Sequence, residues 1–288
     1  MFKLMTDSAC DLPQATLRDH DVDVVALHVL VNNQEVYLTT DNVAGMHDFY
    51  QQLGAGHTAT TSQVSVGEFV AAFEPYVRND TPVLYLAFDS ALSGTFAGAV
   101  QARRVIQEDY PHADITIADS RAASCGLGMM LLDVIKLRDQ GQPAASVAAW
   151  VQQHRHEYHH VVTIDDLHYL VAGGRLKASA AKIGALLNLH PILELQEDGA
   201  IVVRHKVRTF GKSLRFLAQQ AGDALGHTPH PTVMIVSSAD ATTTAKLADA
   251  VRQVLPTAQI TSMPVGTVLA SHTGPGCCAV FFRTPATA

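Results

Sequence analysis

The sequence predicts an α/β protein of two domains, with a parallel-sheet domain over residues 1–158 and an α+β domain over residues 159–288. Three observations support this prediction. The chain has 288 residues, of which 48% are hydrophobic, so it can bury a core in each of two domains. Short apolar runs alternate with segments of helical periodicity before residue 158, which is typical of a parallel sheet. Beyond that residue, a predicted hairpin with flanking helices indicates an α+β unit.

Charge and composition exclude several classes of protein. The net charge of −7 provides no basic stripe that could neutralise nucleic-acid phosphates. No run of about 18 apolar residues is present, so we expect no transmembrane segment. Polar and acidic residues follow Met1 within a few positions, which is unlike a secretory signal. The four cysteines form no C-x-x-C motif, and we therefore expect a cytoplasmic protein.

Each element of the N-terminal part follows from apolar periodicity and from its boundary residues. Strands are predicted where a short apolar run stands between turn residues, at 2–6, 22–27, 29–31, 35–38, 83–88 and 115–118. Helices are predicted where apolar residues recur with a period near 3.6, at 13–20, 43–53, 66–77, 96–108, 129–137 and 144–157. Pro13 suits a first helical turn, and Ser65 with Glu68 forms a capping box before the third helix. Asn32-Asn33 indicates a two-residue hairpin turn between two of the strands.

The C-terminal part adds a hairpin and a βαβ unit. Strands are predicted at 161–164, 191–195, 201–207, 233–236, 259–263 and 278–282. Helices are predicted at 165–170, 180–189, 210–225 and 242–255. The turn Glu197-Asp198-Gly199-Ala200 joins two of these strands as a β-hairpin. No low-complexity linker separates the two parts, so we expect the domains to pack closely together.

The sequence contains two clusters of hydroxyl residues, one of which lies where α/β proteins bind ligands. Ser93 and Gly94 lie in the turn between strand 83–88 and the next helix, where free backbone N–H groups and the positive end of the helix dipole are found. Thr61 and Ser62 belong to the second cluster, which has more hydroxyls than one helix cap requires. The Ser-Gly-Thr turn is also ordinary helix-capping chemistry, so the residues alone leave both interpretations open.

Two further motifs point to other sites only weakly. Gly126-x-Gly128 lacks the third glycine and the acidic residue of a dinucleotide fingerprint, so close helix–strand packing is favoured over NAD binding. His156 and His160 stand four apart near a predicted helix end, but no cysteine or carboxylate joins them at metal-ligand spacing. A solvated helix end is the favoured interpretation, and we expect neither a metal site nor a cofactor.

Eight short motifs stand in order over nearly the whole chain. They are Thr6-Asp7-Ser8 with Asp11-Leu12, Thr61-Ser62-Gln63-x-Ser65, Leu92-Ser93-Gly94-Thr95, Asp119-Ser120, Gly173-Gly174-Arg175, Pro191-Ile192-Leu193, Arg208-Thr209 and His272-Thr273-Gly274-Pro275-Gly276. Together, in this order and spacing, they resemble the DegV family. The sequence departs from the family pattern at Val64, where proline is usual, at His190, where lysine is common, and at Leu176-Lys177, where Ile-Ser is typical.

The resemblance implies a two-domain α/β protein that holds a long-chain fatty acid between its domains. The best understood members of the family are acyl-carrier subunits of bacterial fatty acid kinase. They present the carboxyl group of the fatty acid to a separate ATP-dependent kinase subunit, and the resulting acyl phosphate enters phospholipid synthesis. The resemblance therefore implies a binding subunit without catalytic activity of its own, with the fatty acid as ligand and the kinase as partner.

The resemblance also assigns residues to these roles. It places the contacts to the fatty acid carboxylate on five residues: Thr61, Ser62, Ser93, the backbone of Gly94, and His272. It marks Arg175 and Arg208 for phosphoryl transfer or for docking of the kinase. This division is chemically reasonable, because hydroxyl and N–H donors satisfy a carboxylate, whereas the planar fork of arginine suits phosphate oxygens.

Two other functions stay open at this point. A serine hydrolase or acyltransferase would use Ser93 and His272, although no G-x-S-x-G elbow surrounds Ser93 and no acid is assigned to orient His272. A regulator that binds a small molecule or phosphate would use the same helix N-termini and would show no preference for long acyl chains.

Overall fold

The computed structural model describes residues 1–181 and 189–284, which form thirteen strands and eleven α-helices. The strands are β1 (Lys3–Asp7), β2 (Val22–Val25), β3 (His28–Val31), β4 (Gln34–Glu35), β5 (Ala59–Ser62), β6 (Val83–Ala87), β7 (Ile115–Asp119), β8 (Tyr158–Thr163), β9 (Leu189–Leu195), β10 (Ile201–Arg208), β11 (Thr232–Ser237), β12 (Gln259–Pro264) and β13 (Cys278–Arg283). The helices are α1 (Gln14–Asp19), α2 (Val43–Gly54), α3 (Val66–Val77), α4 (Thr95–Asp109), α5 (Ser124–Asp139), α6 (Ala144–His154), α7 (His168–Ala172), α8 (Ala178–Ala181), α9 (Phe210–Leu225), α10 (Ala241–Val254) and α11 (Thr267–Thr273).

The N-terminal half is built on a four-stranded parallel sheet with the strand order β2-β1-β6-β7. All five residues of β6 are buried, because the strand lies in the interior of the sheet. A continuous apolar run of this kind is what a strand covered on both faces requires. The parallel-sheet prediction for this half is therefore confirmed.

A small antiparallel sheet with the order β4-β3-β5 lies beside the parallel one. Asn32 and Asn33 both have positive φ, 50° and 64°, as a two-residue hairpin turn between β3 and β4 requires. The predicted hairpin is confirmed, but β4 contains only Gln34–Glu35, so the strand predicted to continue to residue 38 was too long. Strand β5 was not predicted, because its Ala-Thr-Thr-Ser sequence carries no apolar alternation.

The C-terminal half contains a six-stranded mixed sheet with the order β10-β9-β8-β13-β11-β12. Strands β11 and β12 are parallel, as in the predicted βαβ unit, and every other neighbouring pair in this sheet is antiparallel. Helices α9 and α10 pack together over one face of the sheet and enclose a second hydrophobic core. Helix α5 of the N-terminal half contacts β8, β11 and β13, so the sheet also packs against that half. The prediction of an α+β unit in this half is confirmed, and the exact domain boundary at residue 158 stays a prediction.

The tip of the β9–β10 hairpin contacts the N-terminal half. The Arg121 guanidinium donates a hydrogen bond of 2.7 Å to the backbone oxygen of Asp198. Gly199 has a φ of +83°, and a Cβ there would lie 2.3 Å from a carboxylate oxygen of the buried Asp89. Only glycine fits this close approach, which holds the hairpin against the loop that follows β6.

Predicted boundaries differ from the structure around residue 158 and before residue 190. Helix α6 stops at His154, a 3-10 turn covers Arg155–Glu157, and β8 begins at Tyr158. His156 and His160 therefore do not share a helix face, and the interpretation of this segment as a solvated helix end is wrong for His160. Of the helix predicted at 180–189, residues 182–188 lie outside the described residues, and Leu189 begins β9.

Helix α11 lies in a segment for which no helix was predicted. Its seven residues include Ser271, His272 and Thr273, which are weak helix formers. Buried side chains hold it in place, among them Thr267, Val268 and Ala270. No described helix is both long and apolar enough to cross a membrane.

Candidate functional site

A cavity of about 360 Å³ lies between the two halves of the protein. Residues of the N-terminal half that line it include Leu27, Phe88 and Ala123, and the C-terminal sheet contributes Val162, Leu193, Val236, Ala279 and Phe281. Most of these side chains are aliphatic or aromatic, so the cavity suits an apolar ligand. The sequence did not identify these lining residues, since their side chains look like ordinary core residues.

The five residues predicted to contact the carboxylate line this one cavity, and so does Arg175. They are Thr61, Ser62, Ser93, Gly94 and His272. They come from three separate parts of the fold, namely β5, the loop before α4, and α11. The fold thus brings the two hydroxyl clusters and the histidine to a common wall, which we call the polar cluster. The polar cluster comprises these five residues and Arg175.

A hydrogen bond joins the two halves within the polar cluster. Thr61 Oγ1 and His272 Nε2 are 2.7 Å apart. Burial, with the nearby Arg175 guanidinium, lowers the pKa of His272 to about 4. The imidazole is therefore neutral near pH 7, where it can offer one donor and one acceptor.

Close packing fixes the other side of the His272 ring. A Cβ on Gly173 would lie 2.2 Å from Nδ1 of His272. Among the described residues, this nitrogen has no hydrogen-bond partner. Gly173 therefore belongs to the site because its missing side chain leaves room for the imidazole.

Ser93 and Gly94 lie in the loop between β6 and α4. Ser93 Oγ accepts a hydrogen bond of 3.2 Å from the Thr95 backbone and lies 2.8 Å from Thr95 Oγ1. Gly94 is the N-cap residue of α4 and no side chain caps this helix, so Ser93 forms a local turn with Thr95 and not the helix cap that the sequence allowed. Gly94 lies against the side chain of Gln63, whose Oε1 would be 1.8 Å from a Cβ at this position. The absence of a side chain at Gly94 leaves room for Gln63 to pack against this loop beside the cavity.

Arg175 is a half-buried cation on the cavity wall. Its Nε donates to the backbone oxygen of Leu92 at 3.0 Å, and its Nη1 donates to the backbone oxygen of Gly173. Burial lowers the pKa of Arg175 from its usual range. In the part of the chain that the structure describes, no carboxylate forms an ion pair with it, so its charge is available to an anion.

The two arginines marked by the resemblance occupy different places. Arg175 belongs to the polar cluster, whereas Arg208 is exposed at the end of β10 and does not line the cavity. Strand β10 is at the edge of its sheet, where it pairs with β9. The structure therefore does not bring the two arginines together at the cavity.

The arrangement does not favour a serine hydrolase. The hydroxyl of Ser93 bonds to Thr95, and Nε2 of His272 bonds to Thr61. No carboxylate among the described residues bonds to His272. A chain of acid, histidine and serine, which nucleophilic catalysis by Ser93 would need, is therefore not assembled in this conformation.

His160 is a cavity residue that the sequence did not reveal. Its Nε2 accepts a hydrogen bond of 3.1 Å from the Ala123 backbone, and its Nδ1 donates to the backbone oxygen of Tyr158 at 3.2 Å. Burial lowers the pKa of His160 to about 4. Both ring nitrogens are thus used within the fold. Across the described residues, no group of three or more His, Cys, Asp or Glu side chains is arranged to hold a metal ion.

Comparisons with known proteins agree with this architecture. The family model described as "Uncharacterised protein, DegV family" matches residues 1–284. The chain belongs to the DegV family. A DegV domain-containing protein of Clostridium perfringens is 36% identical to this DegV-family chain over 281 residues, which cover 98% of the chain and 97% of that relative. The family resemblance drawn from the eight motifs is thereby confirmed.

Solved structures of fatty-acid-binding relatives share the fold of this DegV-family protein. A DegV family protein from Thermus thermophilus, described for its fatty acid binding, is 29% identical with a TM-score of 0.83, over 98% of this chain and 99% of that one. A stearic-acid-binding protein from Eubacterium ventriosum has a TM-score of 0.87 at 24% identity, over 99% of both chains. At 24% identity, the Eubacterium ventriosum protein shows a shared fold alone, whereas the Thermus thermophilus protein also supports a shared family.

Proposed function

We propose that this protein binds a long-chain fatty acid in the cavity between its halves, with the carboxyl group at the polar cluster. One observation supports this proposal above all: a largely apolar cavity has the hydroxyl, backbone and imidazole groups of the polar cluster in its wall. Burying a tail of about fifteen methylene groups contributes roughly 12 kcal/mol before the costs of ordering it. The apolar lining therefore supplies affinity, and the polar cluster satisfies the buried head group.

The polar cluster suits a carboxylate that must later react. The Thr61, Ser62 and Ser93 hydroxyls and the backbone N–H of Gly94 can donate hydrogen bonds to it. Nε2 of neutral His272 can donate to Thr61 Oγ1, which leaves the Thr61 hydrogen for the carboxylate. Arg175 adds one half-buried positive charge whose two identified hydrogen bonds are to backbone oxygens. The carboxylate is thus held mainly by neutral donors, which leave it more nucleophilic than an arginine clamp on both oxygens would.

The proposal extends to a carrier role. The protein presents the carboxyl group to a separate ATP-dependent kinase, which converts it to an acyl phosphate for phospholipid synthesis. It is a binding subunit without turnover of its own, and it needs neither a metal nor a cofactor. The family resemblance supports this role, and so does the absence of an assembled hydrolase triad among the described residues. Four unpaired, buried cysteines support a cytoplasmic location.

Removing single donors from the polar cluster tests the placement of the carboxyl group. Thr61→Val and Ser93→Ala should each weaken binding of palmitic acid by about 5- to 30-fold, the equivalent of about 1–2 kcal/mol for one hydrogen bond to a charged group. Isothermal titration calorimetry measures the effect, and Thr60→Val, at the neighbouring exposed residue, is the control. Because Ser93 also bonds to the backbone and hydroxyl of Thr95, the melting temperature is recorded for each variant. Unchanged affinity in both folded variants would remove these residues from the head-group site.

Substitution of Arg208 tests whether fatty acid binding and phosphoryl transfer depend on different residues. Arg208→Ala should leave the affinity for palmitic acid within about twofold of wild type, because the residue does not line the cavity. Kinase-dependent acyl phosphorylation should fall by about tenfold or more, as for loss of an arginine central to an interface. The assay uses the kinase subunit from the same genome, with Arg252→Ala as the matched surface control. If Arg208→Ala no longer binds palmitic acid, Arg208 belongs to the head-group site instead.

A further inference from the structure

A second groove, of about 500 Å³, shares a wall with the fatty-acid cavity. Thr61, Arg175 and His272 line both spaces. The remaining lining comes from residues 56–60, from five residues within 166–173 and from Ser271, and many of these residues are exposed to solvent. The proposed head-group site therefore has the apolar cavity on one side and this solvent-exposed groove on the other.

The groove offers hydrogen-bond donors. His57 Nδ1 lies 2.6 Å from Nδ2 of Asn32. Because an amide nitrogen donates, Nδ1 of His57 accepts, and its Nε2 carries the hydrogen. His168 is exposed and also lines the groove, as does Thr58. These side chains, with the N–H groups of Arg175, form a set of donors around the groove.

The groove contains little negative charge to repel an anion. The acidic residue that lines it is Asp166, whose carboxylate accepts a hydrogen bond of 2.7 Å from the backbone N–H of His168. Among the described residues, Nη2 of Arg175 has no hydrogen-bond partner. Its planar guanidinium can therefore still bind a phosphate oxygen at the boundary between cavity and groove.

We propose that this groove holds the phosphoryl group of the acyl phosphate, bound by Arg175 at its inner wall and by His57 and His168 farther out. The inference rests on the proposed function. A carboxylate oxygen attacks the terminal phosphorus of ATP, the new O–P bond forms, and the bond from that phosphorus to ADP breaks. ADP leaves with the bonding electron pair, and no net proton transfer is required. The phosphoryl group then extends from the carboxyl group away from the tail, into the groove.

The test compares two ligands that share one tail. The first is palmitic acid, and the second is the β-ketophosphonate analogue of its acyl phosphate, in which a methylene group replaces the bridging oxygen and prevents hydrolysis. Their dissociation constants are measured by calorimetry for wild type, for His57→Ala/His168→Ala, and for the control His112→Ala/His227→Ala. Both control histidines are exposed and lie outside the groove. The groove variant should bind the phosphonate about tenfold more weakly, while its affinity for palmitic acid changes by less than about twofold.

A blocking variant makes the test independent of the two histidines. Thr58→Trp places a large ring in the groove and should weaken phosphonate binding while palmitic acid still binds. Equal affinity for the phosphonate in wild type and in both groove variants would overturn the assignment. An equal loss of both ligands would overturn it as well, because the groove would then be part of the head-group site. If wild type binds neither ligand, the proposed fatty-acid function itself fails, which is a separate result.

Discussion

Ala279→Phe should abolish high-affinity binding of palmitic acid. Ala279 is almost fully buried near the start of β13, beside Val162 and Val236, and lines the cavity with them. An added phenyl ring takes the space of about four methylene groups, whose burial contributes about 3 kcal/mol at about 0.8 kcal/mol each. The expected loss of affinity is therefore more than about 100-fold.

Calorimetric titration of delipidated protein measures this loss, and the size of the side chain can be varied at the same position. Ala279→Val should cost less affinity than Ala279→Phe. Ala241→Phe adds the same ring at an exposed residue of α10 and should leave binding unchanged. Val162→Phe is the second cavity variant, should Ala279→Phe not fold. Wild-type affinity in a folded cavity-filling variant would mean that the tail lies elsewhere.

Gly126→Ala should lower the free energy of unfolding by about 2–4 kcal/mol, a large effect for one methyl group. A Cβ at Gly126 would lie 2.1 Å from Nε2 of His160. The ring cannot move away easily, because both of its nitrogens are hydrogen-bonded to backbone groups, those of Ala123 and Tyr158. Displacing it would leave a buried donor or acceptor without its partner, which adds to the steric cost.

A second helical glycine provides the matched control. Gly67 lies in the first turn of α3, is exposed, and has no atom within 4 Å of the position of an added Cβ. Gly67→Ala should stabilise the protein slightly, by up to about 1 kcal/mol, because alanine loses less backbone entropy on folding. Thermal unfolding measures both variants, and Gly126→Ala should melt about 5–10 °C below wild type. If the two substitutions had equal effects, the contact between α5 and β8 would not be as close as described.

The sequence was informative where a single local pattern determines an element. The apolar run of β6, the Ser65–Glu68 capping box and the Asn32-Asn33 turn were each predicted and are present. Gly126-x-Gly128 was interpreted as close packing, and both glycines do meet neighbouring groups within 3 Å of an added Cβ. In these cases, neighbouring residues along the chain carry enough information to fix the local structure.

The parts that could not be predicted depend on contacts between distant segments. Strand β5 is polar and exists through its pairing with β3, so no periodicity indicated it. Thr61 and His272 are 211 residues apart, and their hydrogen bond follows only from the packing of α11 against β5. His160 is uncharged because it is buried between the halves, whereas its His-rich neighbourhood suggested solvent exposure. The family motifs identified all six polar-cluster residues, but they gave no indication of which apolar residues line the cavity.

Native mass spectrometry of the protein as purified, followed by denaturing extraction, tests the central claim most directly. We predict a mass shift equal to one long-chain fatty acid per chain, and the extracted lipid gives its length and number of double bonds. The same measurement after delipidation and addition of palmitic acid should restore the shift, and Ala279→Phe should show none. A protein that is purified empty and takes up no added fatty acid would contradict the claim, and the DegV motifs would then mark the fold alone.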